Sequence, residues 1–302
     1  MTERYEFIDA EYADAAAAGA ACAPTIAQMC GWLGISRSGF YDWRKRPDSE
    51  TVKRRGILRL LIARIFDDSD GTYGYRRVAA ELARQGVRAG LELVRALMRD
   101  LGLVPCQPRP WRPATTQQGA AGPIPDLVNR DFTADIPGAK MVGDITYIPT
   151  WEGWLYLATV IDCATRKVAG WAMGDNYRTP LITSAIRMAA RNLALPAGAV
   201  FHSDRGSNYT SAEFAAVLKS LGIRQSVGRT GICYDNALAE SFNAAVKVER
   251  VHRTVYPTRK KARDDVARYI EVRYNRQRLH SGLGYRTPQE VLDDYLNTQA
   301  AA

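Results

Sequence analysis

The chain has 302 residues, of which 46% are hydrophobic and 24% are charged. It is therefore long enough for two or three domains and too apolar to be largely disordered. It has no apolar run of the roughly 18 residues that a membrane span needs, and its acidic start is unlike a secretory signal peptide. Five cysteines without CxxC spacing argue against a disulfide framework or a zinc site, so we expect a reducing compartment.

The formal net charge of +9 is unevenly distributed along the chain. Residues 1–115 have a net charge of +4 (18 basic, 14 acidic), residues 116–244 are neutral (11 and 11), and residues 245–302 have +5 (12 and 7). Basic flanks around a neutral centre indicate a polyanionic partner, above all nucleic acid. A general enrichment in arginine is the alternative explanation.

Residues 1–104 are predicted to be helical, and the first helix-turn-helix candidate covers 24–46. The acidic, alanine-rich residues before it predict a frayed helix without a motif. Apolar spacing predicts a short helix over 25–33, and Ser36 is placed to cap a basic second helix after a glycine turn. This order is typical of DNA-binding proteins, although a plain helical hairpin would look similar. The candidate DNA contacts on the second helix are Arg37, Arg44 and Lys45.

A second helix-turn-helix candidate covers residues 72–101 and follows an amphipathic helix at 51–66. Its helices are predicted at 75–85 and 91–100, with a glycine-containing turn between them. Arg76 and Arg77 are its candidate DNA contacts. Residues 105–125 contain six prolines, which excludes a helix or a central strand and predicts a semi-rigid linker.

Beyond this linker, the predicted order of elements is that of a ribonuclease-H-like α/β domain over residues 126–252. We expect a mixed five-stranded sheet flanked by helices, followed by a basic helical extension over 253–302. The predicted strands are 141–149, 154–161, 167–173, 199–203 and 223–227. The predicted helices are 180–194, 211–221 and 235–250, with a glycine-containing loop at 228–234.

Three acidic residues lie at positions that could converge in such a domain. Asp144 is in the first strand, Asp204 directly follows the fourth, and Glu240 is on the last helix. Singly, each is also typical of a turn or a solvated helix. Together they favour a metal-dependent phosphoryl transferase, because two divalent ions held by carboxylates can stabilise both oxygens of a phosphodiester displacement.

Several longer motifs make the similarity to a known family specific. They are Asp144-Ile145-Thr146-Tyr147, the block His202–Tyr209, Asp235-Asn236 with Ala239–Phe242, and the C-terminal signature Tyr274-Asn275, His280, Leu283 and Tyr285–Pro288. Ser36–Trp43 and Tyr73–Arg77 add to them. Over roughly residues 25–292, the chain resembles a DDE-type insertion-sequence transposase, the orfB-like product of the second of two overlapping reading frames, with a retroviral-integrase-like catalytic core.

This resemblance implies DNA cleavage and strand transfer, with Asp144, Asp204 and Glu240 as catalytic metal ligands. It implies two Mg²⁺ ions per active site, with Mn²⁺ as a substitute. The implied partners are double-stranded DNA (terminal repeats and target), further copies of the chain on DNA, and the product of an upstream frame. The implied location is the bacterial cytoplasm, in association with the nucleoid.

The chain also departs from the family pattern. Met141 stands where the family often has Trp, and no histidine precedes His202, so the zinc module of retroviral integrases is absent from the sequence. No sustained heptad repeat is present, which leaves open whether the chain acts alone or within a fusion.

Four further residues are candidate nucleic-acid contacts: His202, Arg205, Asn236 and Lys247. The alternatives are a strand histidine, an arginine paired with an acid, an ordinary first-turn residue and a solvated lysine. Two other functions stay open for the whole chain. These are a DNA-binding regulator with an inactive core and a ribonuclease-H-like or resolvase-like nuclease.

Overall fold

A computed structural model describes residues 2–18, 24–107, 124–228 and 236–301. Most of the predicted linker and of the predicted loop at 228–234 lies outside these ranges. The chain divides into two compact units, Met1–Leu61 and Ile62–Ala302. None of the helices in these ranges is both long and apolar enough to cross a membrane.

The first unit is built on three helices, α1 (Thr2–Ala17), α2 (Ile26–Trp32) and α3 (Arg37–Lys45), and contains the start of α4 (Glu50–Asp68). The Ser36 hydroxyl accepts a hydrogen bond from the backbone N–H of Gly39, as its predicted capping role requires. The sequence left α1 without a role, yet it supplies Ile8 to the core that α2 and α3 share. Gly39 lets α1 approach closely, because a Cβ there would lie 2.6 Å from the Tyr5 hydroxyl.

The second unit begins with the end of α4 and contains α5 (Tyr75–Arg84), α6 (Leu91–Asp100) and a sheet. The strands are β1 (Lys140–Thr150), β2 (Gly153–Asp162), β3 (Val168–Gly174), β4 (Val200–Ser203) and β5 (Arg224–Val227). Their order across the sheet is β3-β2-β1-β4-β5. Strand β2 is antiparallel to both of its neighbours, whereas β1, β4 and β5 are parallel. The predicted ribonuclease-H-like mixed sheet is therefore confirmed.

Helices cover both faces of the sheet. The remaining helices are α7 (Thr179–Asn192), α8 (Ala212–Ser220), α9 (Ala237–Glu249), α10 (Arg259–Arg268) and α11 (Pro288–Ala300), with a π-helical segment at Tyr269–Gln277. One core joins β1 and β2 to α9, α10 and the π-helical segment, and the other joins the sheet to α7 and α8. Gly170 permits the second packing, because a Cβ on β3 would lie 2.2 Å from the carbonyl oxygen of Ala185.

The C-terminal segment is integrated into the second unit. Tyr256, Val266 and Tyr274 are buried in the core under β1 and β2. The Tyr73 hydroxyl donates to the carbonyl of Gln277 and accepts from the N–H of Leu279, which ties the start of the second helix-turn-helix candidate to this segment. These contacts make residues 253–302 a part of the core's packing.

Candidate active site

The first two acidic residues lie at neighbouring positions on adjacent parallel strands. The register of β1 and β4 pairs Val142 with His202, so Asp144 and Asp204 each follow two residues later. Asp144 accepts hydrogen bonds from the N–H of Ile145 and from the Asn243 amide, both at 2.8 Å. The carboxylate of Asp204 accepts the N–H of Gly206 at 3.0 Å. The parallel pairing thus brings together two residues that are 60 positions apart in the sequence.

The third acidic residue, Glu240, lies on α9, which packs across β1. Glu240, Asn243 and Lys247 are spaced three and seven residues apart and share one face of this helix. The opposite side carries Phe242 and Val246, which are buried in the core. Burial of that apolar side turns the polar face of α9 towards the acidic residues of the strands.

The pKa values of all three carboxyl groups are raised, mainly by burial. Burial raises the pKa of Asp144 to about 7, and the charges of Asp204 and Glu240 add to this effect. Burial raises the pKa of Glu240, with a further contribution from the Asp204 charge. Burial also raises the pKa of Asp204, although the Gly206 N–H and the nearby His202 oppose the change. The site therefore holds negative charge that a cation would neutralise.

The donor set suits a hard divalent cation, since carboxylate oxygens are the ligands that Mg²⁺ and Mn²⁺ take. Among the described residues, however, no three acidic, histidine or cysteine side chains are grouped closely enough to hold one ion. The three carboxylates therefore do not surround a single point. In this arrangement, each ion would be bound by two of the three carboxylates.

Asn243 is a site residue that the sequence analysis missed. Its side chain is buried, and its Nδ2 donates to the Asp144 carboxylate. Its Oδ1 is buried with no hydrogen-bond partner among the described residues. Only its position one turn after Glu240 on the same helix face could have signalled this contact.

Lys247 lies beside the acidic residues, half-buried on the face of α9 where the sequence placed it. Its Nζ is 4.6 Å from the ring centroid of Tyr147, which in turn contacts the Trp154 ring edge-on at 4.9 Å. Burial lowers the pKa of Lys247, and the charge of Asp144 opposes the change. Tyr147 and Trp154 are about half exposed, so a basic and aromatic surface borders the site.

Three of the predicted nucleic-acid contacts are buried or engaged within the fold, and DNA contact through them stays a prediction. His202 is 1% exposed and hydrogen-bonds Ser226 at 2.8 Å. Asn236 is buried and donates to the carbonyl of Gly143 without contacting Glu240. Arg77 donates to the carbonyl of Leu279 and lies 3.9 Å from Glu249.

The other basic residues among the predicted DNA contacts are at least partly exposed to solvent. Arg205 is half-buried and donates to the carbonyls of Gly228 and Ile124, instead of pairing with an acid. Arg44 pairs with Asp9 at 3.0 Å within the first unit. The remaining DNA-contact predictions concern exposed residues and stay predictions: Arg37, Lys45 and Arg76.

Three family models match the chain. An integrase core domain matches residues 134–233, which include Asp144 and Asp204. A second integrase core domain matches residues 221–288, which include Glu240. An HTH-like domain matches residues 53–111, which contain α5 and α6.

The chain is also similar to curated proteins over most of its length. It is 37% identical over 268 residues to "Transposase InsF for insertion sequence IS3A" of Escherichia coli (strain K12), which covers 88% of this chain and 93% of that protein. It is 36% identical over 267 residues to "Insertion element IS600 uncharacterized 31 kDa protein" of Shigella sonnei, with 88% and 98% covered. The transposase of element IS904 from Lactococcus lactis subsp. lactis (strain IL1403) is 35% identical over 246 residues, with 82% and 97% covered.

Solved structures resemble the chain more distantly. The HTLV-2 integrase catalytic core domain in complex with magnesium (dimeric form) is 18% identical, with a TM-score of 0.40, and covers 52% of this chain and 97% of that one. A simian T-cell lymphotropic virus intasome in complex with the PP2A regulatory subunit B56 gamma is 16% identical, with a TM-score of 0.45 and 76% and 73% covered.

Proposed function

Because this chain belongs to the insertion-sequence transposases that carry an integrase core domain, we propose that it cleaves and joins DNA at insertion-sequence ends through Asp144, Asp204 and Glu240. Membership of this family makes it a DNA-binding polynucleotidyl transferase.

The observation that carries the assignment is the shared electrostatic field of the three carboxylates. They come from β1, from the end of β4 and from α9. Burial, with the added charges of Asp204 and Glu240, raises the pKa of Asp144 to about 7. A protein gains no stability from such an arrangement, because like charges repel. Their convergence is therefore better explained by chemistry than by folding.

In the proposed arrangement, Asp144 and Glu240 would hold one Mg²⁺ ion, and Asp144 and Asp204 would hold a second. Mn²⁺ has similar ligand preferences and should substitute. Bound divalent ions supply positive charge at the attacking and leaving oxygens of the phosphodiester. The hydrogen bonds from Asn243 and from the N–H of Ile145 fix the orientation of the Asp144 carboxylate, which would be a ligand of both ions.

Lys247 holds the DNA strand in this proposal. It lies seven residues after Glu240, which places it about 10.5 Å further along the helix axis. A lysine at that offset meets a phosphate next to the scissile one, and the ring of Tyr147 limits where its ammonium can lie. Exposed arginines and lysines of the helix-turn-helix candidates then add contacts to the DNA backbone.

The proposed partners are the double-stranded terminal repeats and the target DNA. We also propose further copies of the chain on DNA and the product of an upstream reading frame. We further propose that the protein acts in the bacterial cytoplasm, in association with the nucleoid.

The test is a metal-dependent cleavage and joining assay on terminal DNA. Asp144→Asn, Asp204→Asn and Glu240→Gln should each abolish both reactions and leave DNA binding nearly intact, because metal charge is lost while DNA contacts stay. Glu213→Gln, on an exposed position of α8, is the matched control. Substantial joining by any of the three variants would remove that residue from the site.

The same assay tests the two alternatives. A DNA-binding regulator with an inactive core would bind the ends without nicking them in Mg²⁺ or Mn²⁺. A ribonuclease-H-like or resolvase-like nuclease would prefer RNA–DNA hybrids or DNA junctions to duplex ends.

A further inference from the structure

A cavity of about 400 Å³ lies on the flank of α9, next to the face that carries Glu240. Its polar lining comes from Ser241 of α9, from Arg77 and Arg166, and from Tyr274, Arg278, His280 and Ser281. We call this set the arginine pocket. His280 belongs to the C-terminal signature, and Arg278 and Ser281 lie between residues of that signature; the proposed chemistry gives none of the three a role.

The arginine pocket has an excess of positive charge. Arg278 donates to both carboxylate oxygens of Glu249 at 2.7–3.0 Å, and Arg77 lies 3.9 Å from the same carboxylate. One acid is thus shared by two of the three arginines. No hydrogen bond or ion pair of the Arg166 side chain occurs within the part of the chain that the structure describes.

The backbone at Arg166 is unusual for an arginine. It has a φ of 61° in the turn between β2 and β3, where its N–H donates to the carbonyl of Asp162. Glycine adopts this left-handed conformation more readily than any residue with a Cβ. The turn therefore carries a residue with a Cβ at a conformational cost, and its side chain is a cation without an ion pair among the described residues.

Three other polar groups of the arginine pocket are also available. Neither the Ser241 nor the Ser281 hydroxyl has a hydrogen bond with the residues that the structure describes, and the buried Nε2 of His280 has no partner among them. Burial lowers the pKa of His280 to about 3, with contributions from Arg278, Arg77 and Arg166. The imidazole is therefore neutral, and the three guanidinium groups supply the positive charge near it.

We propose that the arginine pocket binds a phosphate group of the DNA strand that enters the active site. Guanidinium groups and hydroxyls are the donors that phosphate oxygens take. Ser241 follows Glu240 directly, about 100° further around α9, so the pocket lies beside the helix face that carries Glu240. This inference rests on the proposed function, because it takes DNA as the ligand.

The test compares Arg166→Gly with Arg187→Ala, which removes an exposed arginine from α7. Glycine fits the left-handed turn, so the first variant should fold at least as well as the wild type. Binding of duplex terminal DNA is measured against salt without a divalent ion. We expect Arg166→Gly to weaken binding about two- to fivefold and to reduce the log–log salt slope by about one unit. Equal affinity and slope in the two variants would overturn the proposal.

A second variant, Ser281→Asp, places a carboxylate at an exposed position in the lining of the pocket. It should weaken DNA binding more than Arg166→Gly does, because its negative charge repels phosphate. Titration with inorganic phosphate separates a DNA backbone site from a site for a free anion. Phosphate binding that Arg166→Gly abolishes, with DNA binding unchanged, would also overturn the proposal. These binding experiments contain no divalent metal ion and measure no catalysis. They therefore test the arginine pocket even if the three carboxylates do not catalyse joining.

Discussion

Replacing Asp144 by asparagine should stabilise the metal-free protein at neutral pH. Folding raises the pKa of this carboxyl from the ordinary value of 3.8 to about 7. The folded state therefore holds the proton more tightly than the unfolded state. As a result, the stability of the wild type falls as the pH rises from about 4 to about 7, and the loss is complete above that range.

The size of the effect follows from the same two pKa values. Each tenfold change in proton affinity is about 1.4 kcal/mol, so the full difference corresponds to about 4 kcal/mol. Solvent screening at a partly exposed carboxyl reduces this, and we expect about 2 kcal/mol. For a unit of this size that is about 4–8 °C in Tm.

The asparagine should fit the site without new strain. Its Oδ1 can keep the hydrogen bond from the N–H of Ile145. If the side-chain amide of Asn243 rotates by about 180°, its buried Oδ1, which has no partner among the described residues, can accept a hydrogen bond from the side-chain nitrogen introduced at position 144. The packing around position 144 is then preserved while the charge is removed.

The assay is thermal unfolding of the wild type and Asp144→Asn in chelator at pH 5 and pH 8. We expect a higher Tm for the variant at both pH values, with a smaller difference at pH 5 than at pH 8, and stabilisation by Mg²⁺ or Mn²⁺ of the wild type alone. The exposed substitution Asp175→Asn is the control and should show no such dependence on pH. A Tm difference that is equal at both pH values would refute the reasoning.

Three further predictions concern other parts of the chain. Glu249→Gln should lower stability by about 3 kcal/mol in chemical denaturation, because it leaves two buried or half-buried arginines without their acid. Lys247→Ala should weaken binding of terminal DNA and reduce the log–log salt slope by about one unit. Lys247→Arg should change DNA binding only slightly. If Lys219→Ala changed the affinity and the slope as much as Lys247→Ala does, the phosphate contact of Lys247 would be contradicted. Deleting residues 1–48 should leave the Tm of the second unit nearly unchanged. Deleting residues 1–104 should lower this Tm, because the hydrogen bonds between the second helix-turn-helix candidate and the C-terminal segment are lost. Equal Tm values for the two deletion variants would show that these hydrogen bonds do not stabilise the second unit.

Local patterns in the sequence were enough to predict the strands, most of the helices and the three acidic residues. Alternating and continuous apolar runs report on burial in a sheet, and β1, β2 and β3 begin and end within a few residues of their predicted bounds. The acidic residues were recognisable because each stands at a defined point of such an element. Their separation of 60 and 36 positions matched a known motif.

Only the tertiary structure decided which polar residues face solvent. His202 and Asn236 lie in the same motifs as the acidic residues, yet strand pairing and the packing of α9 bury both. Burial depends on neighbours that are distant in sequence, so no local pattern could distinguish them from Lys247. For the same reason, the arginine pocket was not predictable, because it combines residues from the second helix-turn-helix candidate, a hairpin turn, α9 and the C-terminal signature.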